Sequence, residues 1–152
     1  MIDVNNESGI PADEQGMVKL AGFVLRQLRI HPQADLSVLL VDEATMASYH
    51  KRFMDLEGPT DVLSFPMDEL REPGADEPPP RGMLGDIVLC PAVTAAQAAE
   101  NGRSTEGEAE YLLVHGMLHL LGYDHAEPGE RAVMFALSDR LIADWETERA
   151  LS

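Results

Sequence analysis

The chain has 152 residues, a length suited to one domain (1–152) that buries about two-thirds of its unfolded surface. Its formal charge of −16 excludes a nonspecific polyanion binder, because such proteins carry a basic face that releases counterions from phosphates. The lone cysteine, Cys90, excludes an internal disulfide and a cysteine-based zinc site, and is expected to be a small buried residue at a strand end.

Ile2 to Asn5 is the first strand expected from the pattern. The opening Met1-Ile2-Asp3-Val4-Asn5-Asn6-Glu7 has neither a basic nor an apolar leader region, and no later stretch approaches the ~18 apolar residues of a membrane span. A cytoplasmic protein is therefore expected. From Asp13 to Leu28, Met17, Leu20, Ala21, Val24, Leu25 and Leu28 recur at three- and four-residue intervals, the signature of an amphipathic helix. Leu36 to Val41 reads as a strand, and Glu43 to about Phe53 as a second helix. The basic residues Lys19, Arg26 and Arg29 fall in the first helical segment and Lys51 and Arg52 in the second; they are expected to be solvated helix surface, or else the patches from which any contact with a polyanion would be drawn.

Gly58-Pro59 ends that unit, Asp61 to Phe65 forms another strand closed by Pro66, and Glu69 to Arg81, with its Pro73-Gly74 and Pro78-Pro79-Pro80, is expected to be a mobile loop. Gly85 to Leu89 is a fourth strand, followed by a short alanine-rich helix from Pro91 to Glu100 that Asn101-Gly102 stops. Thr105-x-x-Glu108 fits a capping box for a helix running through Leu121. That helix is apolar on nearly every face, with ridges Val114-Leu118-Leu121 and Leu113-Met117-Leu120, and is expected to be central and buried. Pro128 starts a last helix whose stripe is Met134, Leu137, Leu141 and Trp145. The fold expected is α+β, a small mixed four-stranded sheet packed with about five helices around the histidine-bearing one.

Those histidines are His115, His119 and His125, at offsets 0, +4 and +10, with Gly122 at +7. Residues four apart share a helix face, so two imidazoles can converge on one ion at the ~2.0–2.1 Å that zinc requires. Gly122 allows the left-handed turn that brings back the third. Three ligands leave an open position, the mark of a catalytic zinc site, although nickel and other imidazole-binding ions fit the same set. The spacing coincides with the metzincin pattern H-E-x-x-H-x-x-G-x-x-H, except that Gly116 stands where a protease carries its glutamate base. Gly116 is expected either to make room for substrate between the ligand turns or to permit close helix packing.

His115 through His125, with Pro59-Thr60-Asp61-Val62-Leu63-Ser64-Phe65-Pro66 and Leu84-Gly85-Asp86-Ile87-Val88, resemble the YbeY family of bacterial zinc-dependent endoribonucleases, over roughly residues 2 to 148. The resemblance implies zinc held by His115, His119 and His125. It also implies single-strand cleavage in maturation of the 3′ end of small-subunit ribosomal RNA, and contact with the small ribosomal subunit or the assembly GTPase Era; neither DNA nor membrane is expected as a partner. Better-known members carry a cleft arginine five residues before the Pro-Thr-Asp motif, where this chain has Met54. Arg52 is the nearest substitute, but its side chain points about 200° round the helix from Met54, and Arg81 is a second possibility.

At such a site zinc lowers the pKa of its water toward ~7 and takes up charge developing on a phosphoryl oxygen. With no glutamate at 116, Asp124 and Asp86 are the nearby proton acceptors. Asp124 is alternatively a partner for a ligand histidine's second N–H or a cap for the turn, and Asp86 a strand-edge residue. Thr60 and Ser64 are candidates to hold substrate, or buried strand residues, and Tyr123 to stack on a base or cover the helix end. Two other functions fit the same residues: a noncatalytic ribosome-assembly factor with a structural metal, and a metallohydrolase of another substrate class.

Overall fold

The computed structural model describes residues 1–151; Ser152, the end of the expected domain, lies outside the described residues. Among these, four strands and five helices follow one another along the chain: β1 (Ile2–Asn6), α1 (Glu14–Gln27), β2 (Asp35–Leu40), α2 (Glu43–Met54), β3 (Val62–Pro66), β4 (Met83–Leu89), α3 (Pro91–Asn101), α4 (Thr105–Leu120) and α5 (Pro128–Ala150). The sheet order is β1-β2-β4-β3, parallel except for the antiparallel β3–β4 pair. This is the mixed α+β architecture expected. Among the described residues no helix is long and apolar enough to cross a membrane.

Strand alternation divides the apolar residues between the two sheet faces. Val4, Val38, Leu40, Ile87 and Leu89 join α1, α4 and α5 in the larger core, where Leu20, Val24, Leu113, Met117, Leu118 and Leu141 are fully buried. Leu63 and Val88 face the other way, onto Met46 of α2 and Cys90. The histidine-bearing helix α4 is central as its apolar ridges predict, packed on β3, β4, α1, α3 and α5. Trp145 closes the core at the end of α5, and its Nε1–H donates to Glu110 at 2.9 Å.

One local expectation is corrected. Helix α4 is capped by Ser104, not by a box begun at Thr105: Ser104 has extended backbone and its Oγ accepts from the Gly107 amide at 3.0 Å. Glu108 is therefore free of capping, turns inward and pairs with Arg103 at 3.2 Å. Three of the basic residues in and after α1 and α2 have partners at the surface. Arg26 pairs with Glu148, Lys51 with Asp55 and Glu57, and Arg29 donates to the carbonyls of Gly74 and Glu77. The Arg29 bonds anchor the irregular 67–82 segment, which reaches the turn after α4 through Arg71 and Glu72.

Candidate metal centre

His115 and His119 stand one turn apart on the exposed side of α4, and their Nε2 atoms lie 3.1 Å from each other. At that distance a protonated His115 Nε2 donates to His119 Nε2, and with the proton on Nδ1 both nitrogens offer lone pairs to one cation. Ligands about 2.05 Å from a tetrahedral ion would be about 3.3 Å apart, so the spacing fits a shared metal. After Leu120 the chain closes with Gly122 N–H on His119 O and Tyr123 N–H on Leu118 O, both 3.0 Å, with Gly122 at φ +95°. The left-handed step turns the backbone sharply, and His125 comes back over the helix end. The three histidines each offer a ring nitrogen, all within 4.8 Å of one another, with His125 exposed and the other two half-buried.

The protonation chemistry suits a metal. His119 Nδ1 lies 3.0 Å from the Tyr123 carbonyl, which can only accept, so Nδ1 carries the proton and Nε2 keeps its lone pair. Burial, and then repulsion from His119 and His125, lowers the His115 pKa to about 4; burial and His125 lower that of His119. Both rings are therefore neutral at pH 7. The tautomer-fixing partner is thus a backbone carbonyl and not Asp124, whose Oδ1 instead accepts the His125 amide at 2.7 Å and stiffens the return.

A cleft of about 770 Å³ opens over the imidazoles between β3, the end of α2, α5 and the turn. Its walls include the carboxylates of Asp61, Glu108 and Asp124, the rings of Tyr111 and Phe135, and Met54; among the described lining residues there is no lysine or arginine. Arg52 does not reach it, lying with its guanidinium 5.4 Å from the Phe53 ring centre, and Arg81 is bonded to Gln33. Asp86 faces away from α4, on the opposite side of β4 from Ile87, and cannot serve as an acceptor here.

Gly116 faces the sheet, not the cleft. A Cβ there would sit 3.2 Å from Ile87 Cδ1 and 3.2 Å from Ser64 Oγ, so close packing of α4 on β3–β4 is what the glycine permits. Ser64 takes part in that seam, its hydroxyl donating to Gly116 O at 3.3 Å, and Thr60 bonds the Asp61 carboxylate. The Tyr123 hydroxyl donates to Glu72, and Arg71 lies against Gly122, so the 67–82 segment is fastened to the ligand turn; burial, then Glu72, pushes the Tyr123 pKa up to about 12.

Tyr111, Glu108 and Phe135 were not legible as cleft residues from the sequence. Tyr111 and Glu108 had a signal, since they precede His115 by four and seven and share its helix face. Phe135 had none, because it arrives from another helix.

A family model described as Endoribonuclease YbeY matches residues 2–146. Over 149 residues the chain is 68% identical to the Endoribonuclease YbeY of Cutibacterium acnes, covering 98% of this chain and 96% of that one. It is 55% identical over 151 residues to the protein of the same name from Mycobacterium tuberculosis, covering 97% and 85%. In fold it is similar to the solution structure of TM1509 from Thermotoga maritima, with TM-score 0.60 and 23% identity over 100% of this chain and 96% of that one.

Proposed function

The chain belongs to the YbeY family, and from that premise and the three-imidazole centre we propose that it is a zinc-dependent, single-strand-specific endoribonuclease acting in ribosomal RNA processing. The substrate is the 3′ end of precursor small-subunit RNA, met in the cytoplasm on the small ribosomal subunit, with Era as a further partner. The observation that carries this reading is the approach of the His115 and His119 Nε2 atoms to 3.1 Å beside a third imidazole, beneath an open cleft. Single-stranded RNA suits such a cleft because its bases are free to stack on the aromatic walls.

His115, His119 and His125 would hold the ion, and the chemistry it would supply there is acidification of a water and neutralisation of phosphoryl charge. The Tyr123 carbonyl holds His119 in the donating tautomer. Asp124, on the cleft wall next to the third ligand, is the chain's proton acceptor. Its Oδ1 is held by the His125 amide, which orients the carboxylate.

The competing readings lose ground on specific observations. A peptidase glutamate at position 116 would enter the seam with Ile87 and Ser64 and not the cleft. A purely structural metal has little to staple, since backbone bonds from Gly122 and Tyr123 already close the turn. The test is cleavage of a ribosome-bound small-subunit RNA precursor by wild type and His119→Ala prepared identically. Cutting by wild type alone is expected. Equal cutting by both, or by neither on ribosomes that bind the protein, would refute the enzyme.

A further inference from the structure

RNA presents a difficulty to this cleft: the chain carries a net charge of −16, and the lining contributes three carboxylates with no cationic side chain. Positive charge stands just behind the aromatic walls. The Arg103 guanidinium lies 4.8 Å from the centre of the Tyr111 ring and is held there by Glu108, whose side chain is 5% exposed while that of Arg103 is 48% exposed. Tyr111 in turn stacks toward His115 at 6.2 Å and 24°. On α5 the arrangement repeats: the Arg131 guanidinium is 5.6 Å from the Phe135 ring centre, and Phe135 faces His115 at 6.1 Å and 29°. Two aromatic rings, each backed by an exposed arginine, therefore flank a single metal ligand.

We propose that Arg103–Tyr111 and Arg131–Phe135 form a nucleotide subsite beside the metal, the rings stacking a base of a single-stranded RNA and the guanidiniums taking the adjoining phosphates. An aromatic face binds any base, and arginine adds both a planar stacking surface and a charge for phosphate. The buried Glu108 is a positioning residue: it fixes the Arg103 fork over Tyr111, which lowers the entropy lost when a phosphate arrives. These pairs supply the cations that Met54 does not, and they do so from α5 and the α3–α4 connection instead of α2. The subsite rests on the endoribonuclease reading.

Its test is fluorescence anisotropy of a short nuclease-resistant phosphorothioate oligouridine with the metal-loaded protein, across a series of salt concentrations. Arg131→Ala should weaken binding and flatten the slope of log affinity against log salt by roughly 0.7, one phosphate contact on a single strand. Tyr111→Leu and Phe135→Leu should weaken it roughly 5- to 100-fold without changing the slope. Because Arg103→Ala leaves the buried Glu108 unpaired, it is made together with Glu108→Gln, and thermal melts establish that each variant is folded. Arg26→Ala, remote and paired with Glu148, is the control and should bind as wild type. Folded variants that bind like wild type while wild type cleaves RNA would overturn the subsite alone; a wild type that neither binds nor cleaves would overturn the functional reading beneath it.

Discussion

Gly116→Glu restores the metzincin sequence H-E-x-x-H in this chain, and the structure predicts damage without a protease. The helix gains about 1 kcal/mol from losing glycine. Against that, the first added carbon already stands 3.2 Å from both Ile87 Cδ1 and Ser64 Oγ, and the rest of the side chain must enter a seam that is fully buried on the Ile87 side. Overpacking of this kind costs about 1–3 kcal/mol, and an unpaired carboxyl in an apolar seam adds at least as much. The net loss of about 1–5 kcal/mol lowers Tm by about 2–20 °C in a domain of this size. Thermal unfolding of the metal-free protein, followed by circular dichroism alongside Gly116→Ala, measures it; the alanine variant should stay within about 1 kcal/mol of wild type, as the two effects oppose. A glutamate variant with an unchanged Tm and new peptidase activity would refute the packing argument and place position 116 in the cleft.

Gly122→Ala forces a Cβ into a φ of +95° and against Arg71 Nε at 2.5 Å; the exposed arginine can move, so the loss is the backbone term, about 1–2 kcal/mol, and a competition titration should find weaker zinc binding as His125 shifts. Metal-free protein should lose stability as pH falls from 6.5 toward 4, because over that window the unfolded chain protonates a histidine that His115, with its pKa lowered to about 4, leaves neutral. Full linkage would be worth about 3 kcal/mol, and solvent at the half-buried ring reduces it to about 1–2 kcal/mol. Urea titrations of wild type and His115→Gln isolate the effect, and identical pH profiles would contradict it. Met54→Arg places a cation on the cleft wall and should tighten single-stranded RNA binding several-fold in an anisotropy titration, whereas Arg52→Ala, outside the cleft, should leave binding unchanged.

Much of the fold was legible because its signals are local and periodic: α1 and α4 announce themselves by three- and four-residue spacing, and the four strands by short apolar runs between proline and glycine punctuation. The histidine cluster was legible for the same reason, since two ligands share one helix face and Gly122 marks the return. The failures came where partners were nonlocal. Ser104 and Thr105 are both competent caps, and only the inward turn of Glu108 toward Arg103 decides between them. The Gly116 choice between substrate space and packing depended on β3 and β4 being on its side, which no spacing within α4 reveals. Asp124 looked like the partner of a ligand imidazole by proximity in sequence, yet the Tyr123 carbonyl, invisible to any side-chain pattern, takes that bond.

The central claim is that one ion on His115, His119 and His125 enables RNA cleavage. The direct measurement is a zinc titration into chelator-stripped protein, with bound metal and cleavage of a single-stranded RNA followed on the same samples. The account predicts that in wild type the two rise together and saturate at one ion per chain, and that His119→Ala shows neither. Cleavage indifferent to the metal, or metal binding undiminished by loss of His119, would contradict it.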